Sequence, residues 1–209
     1  MLLSSCSSQP NDLRDNRYYR DAETPSAPSQ SPSAAPRPAP VAAPSEQPKA
    51  PALDKVALTA ADLASEGVQP SGSPQRTVPA TLPDCNVPLL DATTAYQTAW
   101  SYPSGATLRQ VVLAYDDEAD DVVDALRDKL TCGKYRAEGA EVTVRTPAVA
   151  ADGQVSWCAT STKQSACTAV KADGQLLSVV VVSAATETKA RQAVTRIAPL
   201  AATALARTS

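Results

Sequence analysis

The run Ala172-Asp173-Gly174-Gln175-Leu176-Leu177-Ser178-Val179-Val180-Val181-Val182 opens on the same Ala-Asp-Gly-Gln words as Ala151-Asp152-Gly153-Gln154-Val155. An Asp-Gly pair supplies adjacent residues that tolerate positive φ, which a tight primed hairpin turn requires. The segments beside these turns carry a period of two. Glu141 to Thr146, Val155 to Ala159, Cys167 to Lys171 and Leu176 to Val182 therefore read as strands, joined as neighbours of an antiparallel meander. The repeat is a local turn signal, not a solenoid period. Leu176 to Val182 is apolar toward both faces, as a central strand must be.

Upstream of this meander, Tyr96 to Tyr102 and Leu108 to Tyr115 read as two strands turned at Pro103-Ser104-Gly105. The second is apolar on both faces in its middle, so a helix is expected over one face and something else over the other. Asp116 to Leu130 follows directly. Its Ala119, Val122, Val123, Leu126 and Leu130 fall on one helical stripe. Its early acids suit a helix start, and Arg127 and Lys129 suit a helix end.

Two further helices bracket the set. Thr59 and Asp62 form an acidic variant of the capping box for a short helix to Glu66, closed by Gly67. Glu187 to about Ala206 has an apolar side of Ala190, Ala193, Val194, Ile197, Leu200, Ala201 and Leu205, with Pro199 expected to loosen its hydrogen bond toward Thr195. Gln69 to Asp84, rich in Pro, Gly and Ser, reads as coil pinned at Cys85. The order of helix, two strands, helix, four strands and helix predicts an α+β fold. Its antiparallel sheet should have about five to six strands, with helices packed on one face.

The N-terminal quarter has another character. Leu3-Ser4-Ser5-Cys6 reads as the end of a bacterial lipoprotein signal, in which the cysteine thiol receives diacylglycerol. A full export signal has a basic start and roughly 7 to 15 apolar residues. Only five residues precede Cys6, so residues 1–6 read as a remnant ending at the lipidated cysteine. Residues 7–52 follow as a disordered Pro/Ala/Ser-rich stalk; half of the 18 prolines lie between Pro25 and Pro51, where missing amide donors rule out helix and strand ladders. Residues 53–209 form the folded sensor or ligand-binding domain. The expected location is the extracytoplasmic face of a cell membrane, with the membrane as partner through the lipid anchor.

The remaining four cysteines, Cys85, Cys132, Cys158 and Cys167, form an even set in a domain behind an export-like motif, which predicts two disulfides. Three pairings are open. Cys85 with Cys132 and Cys158 with Cys167 is favoured, the second clamping adjacent strands. Spacings of 47, 26 and 9 residues, with no histidine in the chain, do not suit structural zinc.

The absence of histidine also removes the usual proton shuttle of serine and cysteine nucleophiles. No nucleophile elbow or phosphate-binding glycine loop is present. No enzyme, cofactor or metal is expected. The acids Asp116, Asp117, Glu118, Asp120 and Asp121 lack the spacing of a calcium loop and read as a solvated helix start. A formal net charge of −3 and no basic stripe exclude nucleic acid as an expected partner. Candidate ligand contacts are the large aromatics Trp100, Tyr102, Tyr115 and Trp157, with Arg109 and Arg145 as cations in strand-like segments facing an anionic ligand. Trp157 is also placed to cover the disulfide at Cys158.

Taken in order, Trp100, the Leu108 to Tyr115 strand, Cys132, Trp157-Cys158, Cys167 and the Val179 to Val182 strand resemble the PknH-like domain, the extracellular sensor-domain family of mycobacterial Ser/Thr kinases that also includes stand-alone actinobacterial lipoproteins. The resemblance covers Leu53 to Ala206. It implies a short opening helix, an antiparallel sheet, a long closing helix, and the disulfides Cys85–Cys132 and Cys158–Cys167. It also implies a cleft for an unidentified ligand and no catalytic centre. The expected function is thus a lipid-anchored ligand-binding or sensor-like domain for an unknown small ligand; an envelope scaffold that holds a protein partner is the alternative.

Overall fold

The computed structural model describes residues 52–79, 81–82, 84–89, 91–137, 139–145, 148–151 and 153–208. Cys6, the expected stalk as far as residue 51, Thr146 and Asp152 of the first Asp-Gly pair lie outside the described residues.

Nine strands form one antiparallel sheet: β1 (Gln69–Pro70), β2 (Thr94–Ser101), β3 (Thr107–Ala114), β4 (Lys134–Ala137), β5 (Ala140–Val144), β6 (Ala148–Ala151), β7 (Gln154–Thr160), β8 (Ser165–Asp173) and β9 (Leu176–Ala184). Their spatial order is β1-β2-β3-β9-β8-β7-β5-β4, with β6 also beside β7. The α-helices are α1 (Leu53–Val56), α2 (Asp120–Lys129) and α3 (Glu187–Leu205). The α+β class holds, and the six expected strands are all present. The expected count of five to six is too low, because β1, β4 and β6 have two to four residues each, too few to display an alternation. β5 and β6 lie end to end along β7, where Val144 faces Ala159 and Ala148 faces Ser156.

Period two makes β9 the centre of the molecule. Leu177 and Val179 point into one core, with Val181 packed against its edge; Val180 and Val182 point into the opposite core. Both faces therefore need cover. On one face, Val180, Val182, Leu108 and Ala169 pack against Ala190, Val194, Ile197 and Ala201 of α3. On the other, Val155, Val170, Ala172 and Leu177 pack against Val123 and Leu126 of α2.

Helices thus cover both faces, which corrects the expectation that they share one. The crossing is visible in the backbone. After β3, the amides of Tyr115 and Ala119 donate to the carbonyls of Gln175 and Gly174, 2.9 and 2.8 Å away. This carries the chain over the β8–β9 turn, so α2 runs down the face opposite α3. Leu53 and Val56 of α1 join Val112, Leu176 and Leu205 in a smaller cluster.

The Thr59–Asp62 cap is formed. Thr59 N and Oγ1 each donate to Asp62 Oδ2 at 2.8 Å. The segment it starts is a turn and a 3₁₀ stretch at Ala64–Glu66, not an α-helix, and Gly67 closes it in the left-handed region. At its other end, α3 is capped by Thr186 and runs on through Pro199.

Three ion pairs fasten α3 and its exit to the rest: Arg196 to Glu66 at 2.9 Å, Arg145 to Glu187 at 2.9 Å, and Arg207 to Asp62. Inside, fully buried Gln110 accepts from Leu58 N at 2.7 Å and donates to Ser178 Oγ at 3.0 Å. It ties the N-terminal segment to the two central strands, with its polar atoms satisfied.

The two Asp-Gly turns place their glycines differently. Both take positive φ, yet a β-carbon on Gly174 meets open space, while one on Gly153 would lie 2.3 Å from Asp120 Oδ1 in the first turn of α2. Gly174→Ala is expected to cost about 1–2 kcal/mol for the left-handed backbone. Gly153→Ala is expected to cost more in the same urea titration, since Asp120 must also rotate away; equal losses would show that this close approach constrains nothing.

Acid should loosen the attachments of α3. Hydrogen bonds from Arg196 hold Glu66 below its ordinary 4.5. Asp62 is raised by desolvation but held net below its ordinary 3.8 by Arg207 and Thr59, and Glu187, also desolvated, is lowered by Arg145 and Arg191. A carboxylate lowered in the folded state contributes stability above its unfolded value and loses it as pH falls through the folded one. The melting temperature is expected to drop below about pH 4.5, and Glu66→Gln to flatten part of that drop. An unchanged acid limb in the variant would contradict this account.

Candidate functional site

Helix lengths determine where the sheet is left open. The 19 residues of α3 span about 28 Å and match strands of nine residues, about 30 Å long. The ten residues of α2 span only about 15 Å, half of the face beneath. The coil that includes Val78, Leu82 and Leu89, and the β4–β5 hairpin, cover part of the remainder.

Between them lies a groove with two lobes. The larger, about 440 Å³, carries Thr107, Tyr135, Ser161, Gln164 and Ser183 beside the apolar Ala137, Val142 and Ala159, and is the more polar of the two. The smaller, about 220 Å³, is bordered by Pro79, Leu82, Leu89, Val111 and Val179. Arg109 and Val181, Cα partners across β3 and β9, line both lobes. Arg109 is exposed, and among the described residues its guanidinium has neither an ion-pair nor a hydrogen-bond partner.

Asp84 organises one wall. It is 4% exposed, and its two oxygens are both engaged: Tyr135 Oη donates to Oδ1 and Trp157 Nε1 to Oδ2, each at 2.7 Å. Its neighbour Cys85 is bonded to Cys132 just beyond α2, with Cys85 and Asn86 in the left-handed region. The disulfide therefore holds the coil against the sheet, and the coil delivers a carboxylate to two aromatic donors. Burial first, then the bond to Asp84, pushes the Tyr135 phenol above its ordinary range, so it stays a neutral donor.

The six ligand candidates from the sequence go to different places. Arg109 lines the groove. Tyr102 lines an adjoining hollow of about 480 Å³ at the end of the sheet, which shares Thr107, Lys163, Gln164 and Ser183 with the larger lobe and reaches Lys189 and Arg196. There Tyr102 Oη lies 3.4 Å from Glu66, and burial with the Glu66 charge pushes its pKa up to about 12. Arg196 is committed to Glu66, which leaves Lys189 as the other cation peculiar to that hollow. Trp100 is 4% exposed in the core under α3. Tyr115 is buried in the core under α2, its hydroxyl without a partner among the described residues, and burial and then Asp91 push it up to about 12. Arg145 pairs with Glu187.

Trp157 forms the wall behind Asp84. It does not cover the disulfide of its neighbour Cys158, because adjacent strand residues face opposite ways: Trp157 lies in one core and Cys158, bonded to Cys167 directly across β7 and β8, in the other. Asp84, Tyr135 and Val181 were not singled out in the sequence. Only the adjacency of Asp84 to a disulfide cysteine could have pointed there. The acids before and within the start of α2 are exposed, and among the described residues no three His, Cys, Asp or Glu converge on a metal position.

Asp84→Ala would leave the buried indole N–H of Trp157 unpaired and free the Tyr135 hydroxyl. The expected loss is about 2–4 kcal/mol in urea denaturation, against about 1 kcal/mol for Tyr135→Phe. Similar small losses for both would show that Asp84 is not the hub of this wall.

No protein-family model matches the sequence, and no curated protein matches it significantly. Among solved structures, the chain is similar to the crystal structure of the extracellular domain of PknH from Mycobacterium tuberculosis, with a TM-score of 0.55 and 16% identity, covering 73% of this chain and 92% of that one. At that identity the likeness is one of fold. The likeness supports a PknH-like fold, as the order of strands and cysteines suggested.

Proposed function

We propose that this chain is the ligand-binding, sensor-like domain of a lipid-anchored protein on the extracytoplasmic face of a bacterial cell membrane, and that it binds its ligand without catalysing a reaction. The observation that carries this reading is the groove: a concave half-face of the sheet with an unpaired arginine between a polar and an apolar lobe. Its larger lobe is within the size of small-molecule sites, roughly 300–1,000 Å³. The two disulfides suit an oxidising compartment. The similar fold is that of an extracellular domain, and Cys6 supplies the attachment point. Among the described residues no helix is long and apolar enough to cross a membrane.

Binding without catalysis follows from the donor set. The groove's one carboxylate has both oxygens engaged by Trp157 and Tyr135, and the chain has no histidine to move a proton. The envelope-scaffold alternative would use an edge such as β4. That edge carries the exposed Lys134 and Arg136, which discourage strand addition, so the groove is the better supported site.

Two measurements test the reading. Intact-mass analysis of native protein should show a chain starting at diacylglyceryl-Cys6 with both disulfides closed, and Cys6→Ser should move it from the membrane to the soluble fraction. Amide NMR titration with a small-fragment library should give shifts clustered on Arg109, Val111, Tyr135 and Val181. Hits scattered evenly over the surface would remove the groove as the site, and a soluble native protein would remove the anchor.

A further inference from the structure

We infer that the groove takes an amphiphile: an aliphatic chain ending in an anionic acid head of the phosphate or carboxylate type. This rests on the groove being the ligand site and adds the class of ligand. The chemistry of the two lobes carries it.

The polar lobe is built for an anion. The cation it offers is Arg109, and the one carboxylate on its wall among the described residues, Asp84, already accepts from Trp157 and Tyr135 through both oxygens. A cationic or metal ligand would meet no free carboxylate there. An anion meets the unpaired guanidinium of Arg109, which presents a planar fork of donors matched to two oxygens of a phosphate or carboxylate. Thr107 and Ser183 add hydroxyls to the same lobe.

The second lobe is built for hydrocarbon. Pro79, Leu82, Leu89, Val111 and Val179 line it, with Thr81 and Gln97 as its polar members besides Arg109. It meets the polar lobe at Arg109 and Val181, so head and chain sit on either side of one β3–β9 residue pair. A flat ring system is disfavoured. Both tryptophans are buried in the cores, leaving Tyr135 as the aromatic on the rim, and sugars and bases are held by stacking on exposed aromatic faces.

The test uses the full chain and four probes, the amphiphiles below their micelle concentrations, read by isothermal titration calorimetry: dodecyl phosphate, dodecyl carboxylate, dodecyl maltoside and inorganic phosphate. Dodecyl phosphate is expected to bind at least tenfold more tightly than dodecyl maltoside or inorganic phosphate. Arg109→Gln should lower that affinity at least tenfold with the melting temperature unchanged, since the side chain is exposed and unpartnered; Arg109→Lys should restore part of it. Dodecyl carboxylate binding as well as the phosphate would support a head recognised as an acid. Dodecyl maltoside binding as well as the phosphate, or full affinity in Arg109→Gln, would overturn the acid head while leaving the groove a ligand site. Binding of inorganic phosphate alone would overturn the chain. No binding by any probe would overturn this inference, while the fragment titration judges the broader reading independently.

Discussion

The central strand Leu176–Ala184 must bury apolar side chains on both of its faces, and the architecture follows from meeting that demand twice with unequal means. One face receives a 19-residue helix that matches the strands in length; the other receives a ten-residue helix that does not. Two-sided burial stabilises the sheet at about 25 cal/mol per Å² of apolar surface removed from water. The unmatched length on the second face has to be covered by irregular chain, which cannot seal a sheet as a helix does. A groove is the residue of that mismatch.

Irregular chain stays against a sheet only if something holds it, and the Cys85–Cys132 link does so by joining the coil to the end of the short helix. The same coil brings a carboxylate into the core, where an unpaired charge would be costly. Trp157 and Tyr135 compensate it from two separate strands. The wall of the groove is therefore a polar network fully satisfied from within, which leaves the charge of Arg109 as the group facing outward without a partner. Arg145 and Arg196, chemically the same residue type, are both spent on fastening the long helix.

This distinction explains why the candidates named from sequence separate as they do. Trp100, Tyr115 and Trp157 are large and amphipathic, and sequence cannot tell an aromatic that lines a cleft from one that fills a core. Arg109 and Arg145 both stand in strand-like segments, and only the position of Glu187, 42 residues after Arg145, tells them apart. Asp84 was read as the end of a coil because its partners lie 51 and 73 residues away. Strands of two to four residues escaped for a related reason, since they are stabilised by their neighbours and carry no period of their own.

By itself the sequence determined the long elements: the two-sided strands Leu108 to Tyr115 and Leu176 to Val182, the stripes of the second and third helices, the Asp-Gly turns, and an even cysteine set with a favoured pairing. These are local signals, written by periodicity, capping and turn chemistry within a few residues. Only the tertiary structure decided that the second helix crosses to the opposite face, that it stops halfway along it, and that Arg109 faces the groove without a partner while Arg145 pairs with Glu187. Those outcomes depend on distances between residues far apart in the chain, and side-chain pattern encodes which face of an element is buried but not what will be there to bury it.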